Sequence, residues 1–194
     1  IATDDMYEHI LWHGAAFINI LNANPDLYDR TMVLNGVSKA YSMTGWRIGY
    51  AAGPEWLINA MTNMQSQSTS NPTSIAQKAA LEALKGPQDS VAGMLGEYTK
   101  RREYVLGRLR AIPGVKVQDP KGAFYAYPNV SAAFKGDVKD SMSFAEKLLA
   151  EEHVAVVPGE AFGTNDHIRI SYATSLEELA RGLDRIEKFI KARV

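Results

Sequence analysis

A short apolar run, Thr31-Met32-Val33-Leu34-Asn35, stops at Gly36, and Lys39 follows three residues later. A run of this length bounded by glycine predicts a buried strand, which delivers Lys39 just beyond its end. The lysine opens the segment Ser38-Lys39-Ala40-Tyr41-Ser42-Met43-Thr44-Gly45-Trp46-Arg47-Ile48-Gly49-Tyr50, whose other residues, Arg47 aside, are small, hydroxyl-bearing, apolar or aromatic. That composition suits a pocket better than a surface. A pocket that strips water from Lys39 favours its neutral amine and makes it a nucleophile. Arg47 adds a planar guanidinium that fits a phosphate. The plain alternative is a solvated Lys/Arg pair at a loop end, and spacing alone does not decide between them.

Composition narrows the field. At 194 residues the chain has room for one large domain or two small ones. Hydrophobic residues make up 46% and charged residues 22%, an ordinary globular balance that leaves enough apolar side chains for a core. A net charge of -1 argues against a nucleic-acid binder, and no apolar run approaches a membrane span. Cysteine is absent, so neither a disulfide framework nor a thiolate metal site is available, and a reducing, cytoplasmic location fits. His9 and His13 could share a helix face, but no third ligand accompanies them and no metal is expected.

The ungapped string SKAYSMTGWRIGYAAGP, residues 38–54, resembles the lysine segment of the class I, fold type I aminotransferases that use pyridoxal 5'-phosphate (PLP), most of all the bacterial aspartate aminotransferases. The resemblance implies an α/β fold. Residues 1–95 would form the C-terminal part of a PLP-binding large domain with a mostly parallel sheet, and 96–194 a small α+β domain. It implies that Lys39 is the catalytic, imine-forming lysine and that Arg47 holds the cofactor phosphate. TDDMYEH, residues 3–9, corresponds to the end of a sheet strand. Asp4 there would pair with the pyridinium nitrogen, and Tyr7 would donate to the ring's phenolic oxygen. RISYATS, residues 169–175, matches the segment whose arginine, here Arg169, binds the substrate α-carboxylate. GAFY, residues 122–125, borders the substrate in the family, which makes Gly122 and Phe124 candidates for shaping the pocket. Where many relatives carry a phosphate-binding serine three residues before the lysine, this chain has Gly36. The resemblance covers only the C-terminal half of the family pattern, so the chain by itself is expected to be inactive.

Periodicity organises the rest. Arg47–Ala52 reads as a strand buried on both faces. Pro54 opens a helix with Leu57, Ile58, Met61 and Met64 as core filler. Ile75 to Leu84 makes a second helix, and a long one runs from about Asp89 to Ala111. The basic run Lys100-Arg101-Arg102 on it, flanked by Glu97 and Glu103, is expected to be a solvated face. Short strands are expected at Val115–Val117, Gly122–Tyr127, Val154–Val157 and His167–Tyr172. In the last, Ile168, Ile170 and Tyr172 share one face and Arg169 the other. Ser143 with Glu146, and Ser175 with Glu178, fit capping boxes. The final helix would bury Leu176, Leu179, Leu183, Ile186 and Ile190.

The expectation is amino-group transfer between an amino acid, aspartate or glutamate by resemblance, and a 2-oxo acid, in a homodimer. The alternatives are a non-catalytic PLP-responsive regulator module, another fold type I enzyme such as a lyase, and a stable piece with no activity of its own.

Overall fold

Ala2–Asp4 (β1), Met32–Gly36 (β2) and Gly49–Ala52 (β3) form a three-stranded sheet in that order in the computed structural model, which describes residues 1–194. β1 runs parallel to β2, with Asp4 opposite Leu34. β3 runs antiparallel to β2, with Gly36 opposite Gly49. The sheet is therefore mixed, and its third strand begins later than the sequence suggests. Arg47 lies outside it, and Gly49, Tyr50 and Ala52 are exposed. The reason is local: Thr44–Trp46 closes a 3-10 turn, and Arg47 caps it in a left-handed conformation that cannot pair.

The sheet belongs to the first of two compact units, Ile1–Met94. Four α-helical segments accompany it: Ile20–Ala23 (α1), Glu55–Ser66 (α2), Ser74–Lys85 (α3), and the start of Asp89–Ala111 (α4). Pro54 is the N-cap of α2 rather than its first residue. Its methionines do not fill a core, since no residue of α2 is buried and Met64 is 76% exposed. On α3 only Ala76 and Ala80 are buried, packing with Val37 and Ile48. The larger Ile75, Leu81 and Leu84 face outward.

The second unit, Leu95–Val194, holds the rest of α4, the strands Tyr125–Ala126 (β4), Val157–Pro158 (β5) and Ile168–Ser171 (β6), and the helices Ser141–Glu152 (α5) and Leu176–Lys191 (α6). Its sheet is antiparallel in the order β4-β6-β5. The core lies where Val105, Leu106 and Leu109 of α4, Phe144 and Leu148 of α5, Ile168 and Ile170 of β6, and Leu183, Ile186 and Phe189 of α6 are all buried. Fully burying such side chains contributes about 1.5–3 kcal/mol each.

Several expectations change here. Arg102 is buried, not solvated, and its guanidinium pairs with Asp119 at 3.1 Å and reaches the Pro120 carbonyl. The strands around residues 116 and 124 shrink to an isolated bridge, Lys116 with Asn129, and to the two residues of β4. β5 keeps only the end of its apolar run. The capping box of α5 is set by Asp140 with Ser143, one turn earlier than the Ser143–Glu146 pairing. At α6, Ser175 accepts from the Glu178 amide at 3.2 Å, but Leu176 is exposed and Phe189 takes a buried place. No helix is long and apolar enough to cross a membrane.

Candidate active site

Strand direction decides which residues meet. The parallel pairing of β1 and β2 puts their C-terminal ends together, and the antiparallel pairing brings the start of β3 to that same edge. Asp4 ends β1, Lys39 follows β2 by three residues, and Arg47 precedes β3 by two. The turn Met6–His9, which carries Tyr7, departs from β1 at the same edge. One carboxylate, one phenol, one amine and one guanidinium are thus delivered to a single end of the sheet, where open α/β sheets bind ligands.

The backbone there is held by its small and apolar residues. Val37 and Ala40 flank Lys39 and are buried, as is Ile48 beside Arg47. Tyr41 and Met43 pack on the Val37–Ile48–Ala76–Ala80 cluster, and the Tyr41 hydroxyl donates to Gln88 at 3.1 Å. Lys39 itself is half-buried, in a turn closed by the Ser42 amide on its carbonyl at 3.3 Å. Ser42 and Arg47 both have φ of +53°, a region that disfavours side chains with a Cβ. Arg47 Nη1 donates to the Thr44 carbonyl at 2.9 Å, and no ion pair uses the guanidinium. Gly36 is needed where it stands. A Cβ there would lie 2.9 Å from the Ile48 carbonyl oxygen and 3.0 Å from Gly49 Cα, so a serine at this position would push β2 and β3 apart.

The two adjacent aspartates separate sharply. Asp4 is exposed and accepts from the Met6 amide at 3.3 Å. Asp5 is buried, bonded through its carboxylate to the Asn19 side-chain amide and through its own amide to Leu34. Asp4 is the carboxylate exposed to solvent, and Asp5 ties the turn to α1. Sequence reasoning missed Glu8. It is half-buried, accepts from Asn35 Nδ2 at 2.6 Å and lies 3.6 Å from His9. Burial first, and then the Glu8 carboxylate, raise the phenol pKa of both Tyr41 and Tyr50. The signal available was position: Glu8 follows the Asp4–Tyr7 turn directly. His9 and His13 belong to no metal-holding cluster.

Arg169 lies in the second unit, on the face of β6 opposite the buried Ile168 and Ile170. Its Cζ sits 4.4 Å from the centroid of Tyr125 and 4.6 Å from that of Phe162. Phe124 is buried, with its ring stacked on Tyr98 at 5.3 Å and tilted against Tyr125. Gly122 is half-buried in the loop before β4.

The chain matches known proteins along almost its whole length. A profile for the aminotransferases of class I and II covers residues 1–186. An aspartate aminotransferase of Bacillus sp. strain YM-2 is 50% identical over 98% of this chain and 49% of its own length. An aspartate/prephenate aminotransferase of Cereibacter sphaeroides is 51% identical over 97% of this chain and 49% of its own. The crystal structure of the Rhizobium meliloti aspartate aminotransferase superposes with a TM-score of 0.93 at 45% identity, covering 98% of this chain and 49% of that one. The chain spans about half the length of the curated relatives it matches.

Proposed function

Because the chain belongs to the class I and II aminotransferase family, we propose that it carries the cofactor-anchoring part of an enzyme that moves an amino group between an amino acid and a 2-oxo acid. The observation that carries this reading is the strand register, which brings Asp4, Tyr7, Lys39 and Arg47 to one end of the first sheet. That donor set fits pyridoxal 5'-phosphate group by group. The amine of Lys39 suits its aldehyde and Asp4 its ring nitrogen. Tyr7 suits its phenolic oxygen and Arg47 its phosphate. When bound, the cofactor supplies an electron sink for the carbanion formed at the substrate Cα.

The chain's own residues do the rest. Lys39 would hold the cofactor through its amine, and its free amine would take the proton from the substrate Cα as general base. Asp4 keeps a positive charge favourable on the ring nitrogen. Arg47 fixes the phosphate and so the distance over which Lys39 must act. Arg169 binds the substrate α-carboxylate with paired N–H groups, which a lysine would not provide. The names of the relatives, aspartate aminotransferase and aspartate/prephenate aminotransferase, favour aspartate as the amino acid, and a cytoplasmic homodimer is the assembly this reading carries with it.

The test uses the full-length protein that contains this chain. Borohydride reduction is expected to give one cofactor adduct, on Lys39. Lys39→Ala is expected to lower transamination by roughly 100- to 10,000-fold or more. An adduct on another lysine, or near-normal turnover in the variant, overturns the assignment.

A further inference from the structure

Arg169 is half-buried, yet its guanidinium makes no ion pair and no hydrogen bond in the structure. Taking N–H donors partly out of water without partners is unfavourable, so something else holds the group in place. Two aromatic rings do so, Tyr125 and Phe162, with centroids at 4.4 and 4.6 Å from Cζ. Rings attract the cation but consume none of its donors.

The second ring is itself fixed. Phe162 ends the 3-10 turn Gly159–Phe162, and Tyr127 meets it edge-on at 5.9 Å. The Tyr127 hydroxyl shares a 2.6 Å hydrogen bond with Thr164 and donates to the Gly159 carbonyl at 3.3 Å. Its ring stacks on His167, two residues before Arg169, at 4.8 Å. Gly159 presses the turn onto the strand: its amide donates to the His167 carbonyl at 2.8 Å, and a Cβ would lie 2.5 Å from that oxygen. The turn that presents Phe162 is therefore pinned to the strand that presents Arg169. Tyr125 is set from the other side, since β4 pairs it with Ser171.

We propose that Phe162 and Tyr125 are positioning residues that clamp the Arg169 guanidinium between them, leaving its donors unspent for a substrate carboxylate. This rests on the reading of Arg169 as the carboxylate-binding residue. The clamp acts on binding, so its loss weakens carboxylate affinity for amino acid and 2-oxo acid alike and leaves proton transfer at Cα untouched.

Phe162 is 47% exposed, so its replacement leaves the core intact. In the full-length holoenzyme, Phe162→Leu keeps an apolar side chain but removes the ring. The dissociation constant of succinate, an unreactive dicarboxylate, measured by calorimetry, is expected to rise about three- to thirty-fold. KM for both substrates rises in parallel, kcat stays within about twofold, and Phe162→Tyr behaves as wild type. The single-turnover rate with a primary amine that has no carboxylate is unchanged. If Phe162→Leu binds succinate normally while Arg169→Ala does not, the clamp is overturned and the carboxylate role of Arg169 stands. If Arg169→Ala also binds succinate normally, both fall. If Phe162→Leu slows the carboxylate-free amine as well, its role is structural and the clamp is overturned.

Discussion

Arg47 adopts φ +53° and ψ +47°, a conformation that costs a residue with a Cβ about 1–2 kcal/mol. Nothing in the packing requires an arginine there, since the side chain is exposed and its one hydrogen bond is to the nearby Thr44 carbonyl. Strain kept at an exposed residue on the same end of the sheet as Lys39 points to a ligand-holding role. Arg47→Gly and Arg47→Ala separate strain from function. Both are expected to weaken cofactor binding in equilibrium dialysis, because both lose the guanidinium. The glycine variant is expected to be about 1 kcal/mol more stable to urea than the alanine variant, because only it relaxes the backbone. Equal stabilities would mean that the backbone is not strained. Lys39 and Arg47 drew attention in the sequence because a single lysine and a single arginine stand in a segment with no other charge, but only the resemblance of that segment gave them roles. The ring pair around Arg169 was not. Phe162 is seven positions away in a turn, and only the β5–β6 pairing, Val157 opposite Arg169, folds that turn back. Asp5 was legible as a residue but not as a role. Adjacent carboxylates on a strand end look alike until one of them is buried against Asn19.

At the scale of elements, long periodic segments were readable and short ones were not. α4 begins and ends at Asp89 and Ala111 as its pattern suggests. A helix of that length satisfies its own backbone, so local sequence decides it. β4 and β5, two residues each, exist only through their partner β6, and no local pattern fixes where such strands stop. Caps fail in a related way. Asp140 and Ser143 both suit an N-cap, and the structure chooses the earlier one, with the Ser143 amide donating to Asp140 at 2.8 Å. α6 shows how periodicity overreaches at a helix end. Leu176 fits the apolar spacing, but it occupies the first turn and is 43% exposed, whereas Leu183 is 2% exposed. Leu183→Ala is expected to cost about 2–5 kcal/mol in denaturant unfolding, and Leu176→Ala under about 1 kcal/mol. Similar costs for the two would mean that the first turn of α6 is buried in solution.

The two units differ most in how completely each covers its apolar side chains. Of the buried hydrophobic residues, seven fall in Ile1–Met94 and twenty-one in Leu95–Val194. Of the large hydrophobic residues left exposed, eleven are in the first unit and five in the second. Trp56, Met64 and Ile75 of the first are all more than 60% exposed. A sheet of three strands with so small a core lacks the burial that offsets chain entropy, whereas the second unit closes a core between three helices and its own sheet. Ion pairs reinforce that closure. Arg108 of α4 reaches both Asp184 and Glu187 of α6, at 2.5 and 3.1 Å, and these carboxylates raise its pKa. Residues 95–194 expressed alone are therefore expected to fold. They should give one cooperative urea transition with coincident fluorescence and circular dichroism midpoints. Residues 1–94 alone are expected to bind an apolar dye and to unfold without a sharp transition, because the tryptophan and leucine side chains that they expose have no cover within their own unit. A cooperative, dye-free 1–94 piece would show that the strand end carrying Asp4, Lys39 and Arg47 is held by local packing alone. Under the expected result, that strand end gains its rigidity from surface covering the first unit, and cofactor affinity should rise with whatever supplies that cover.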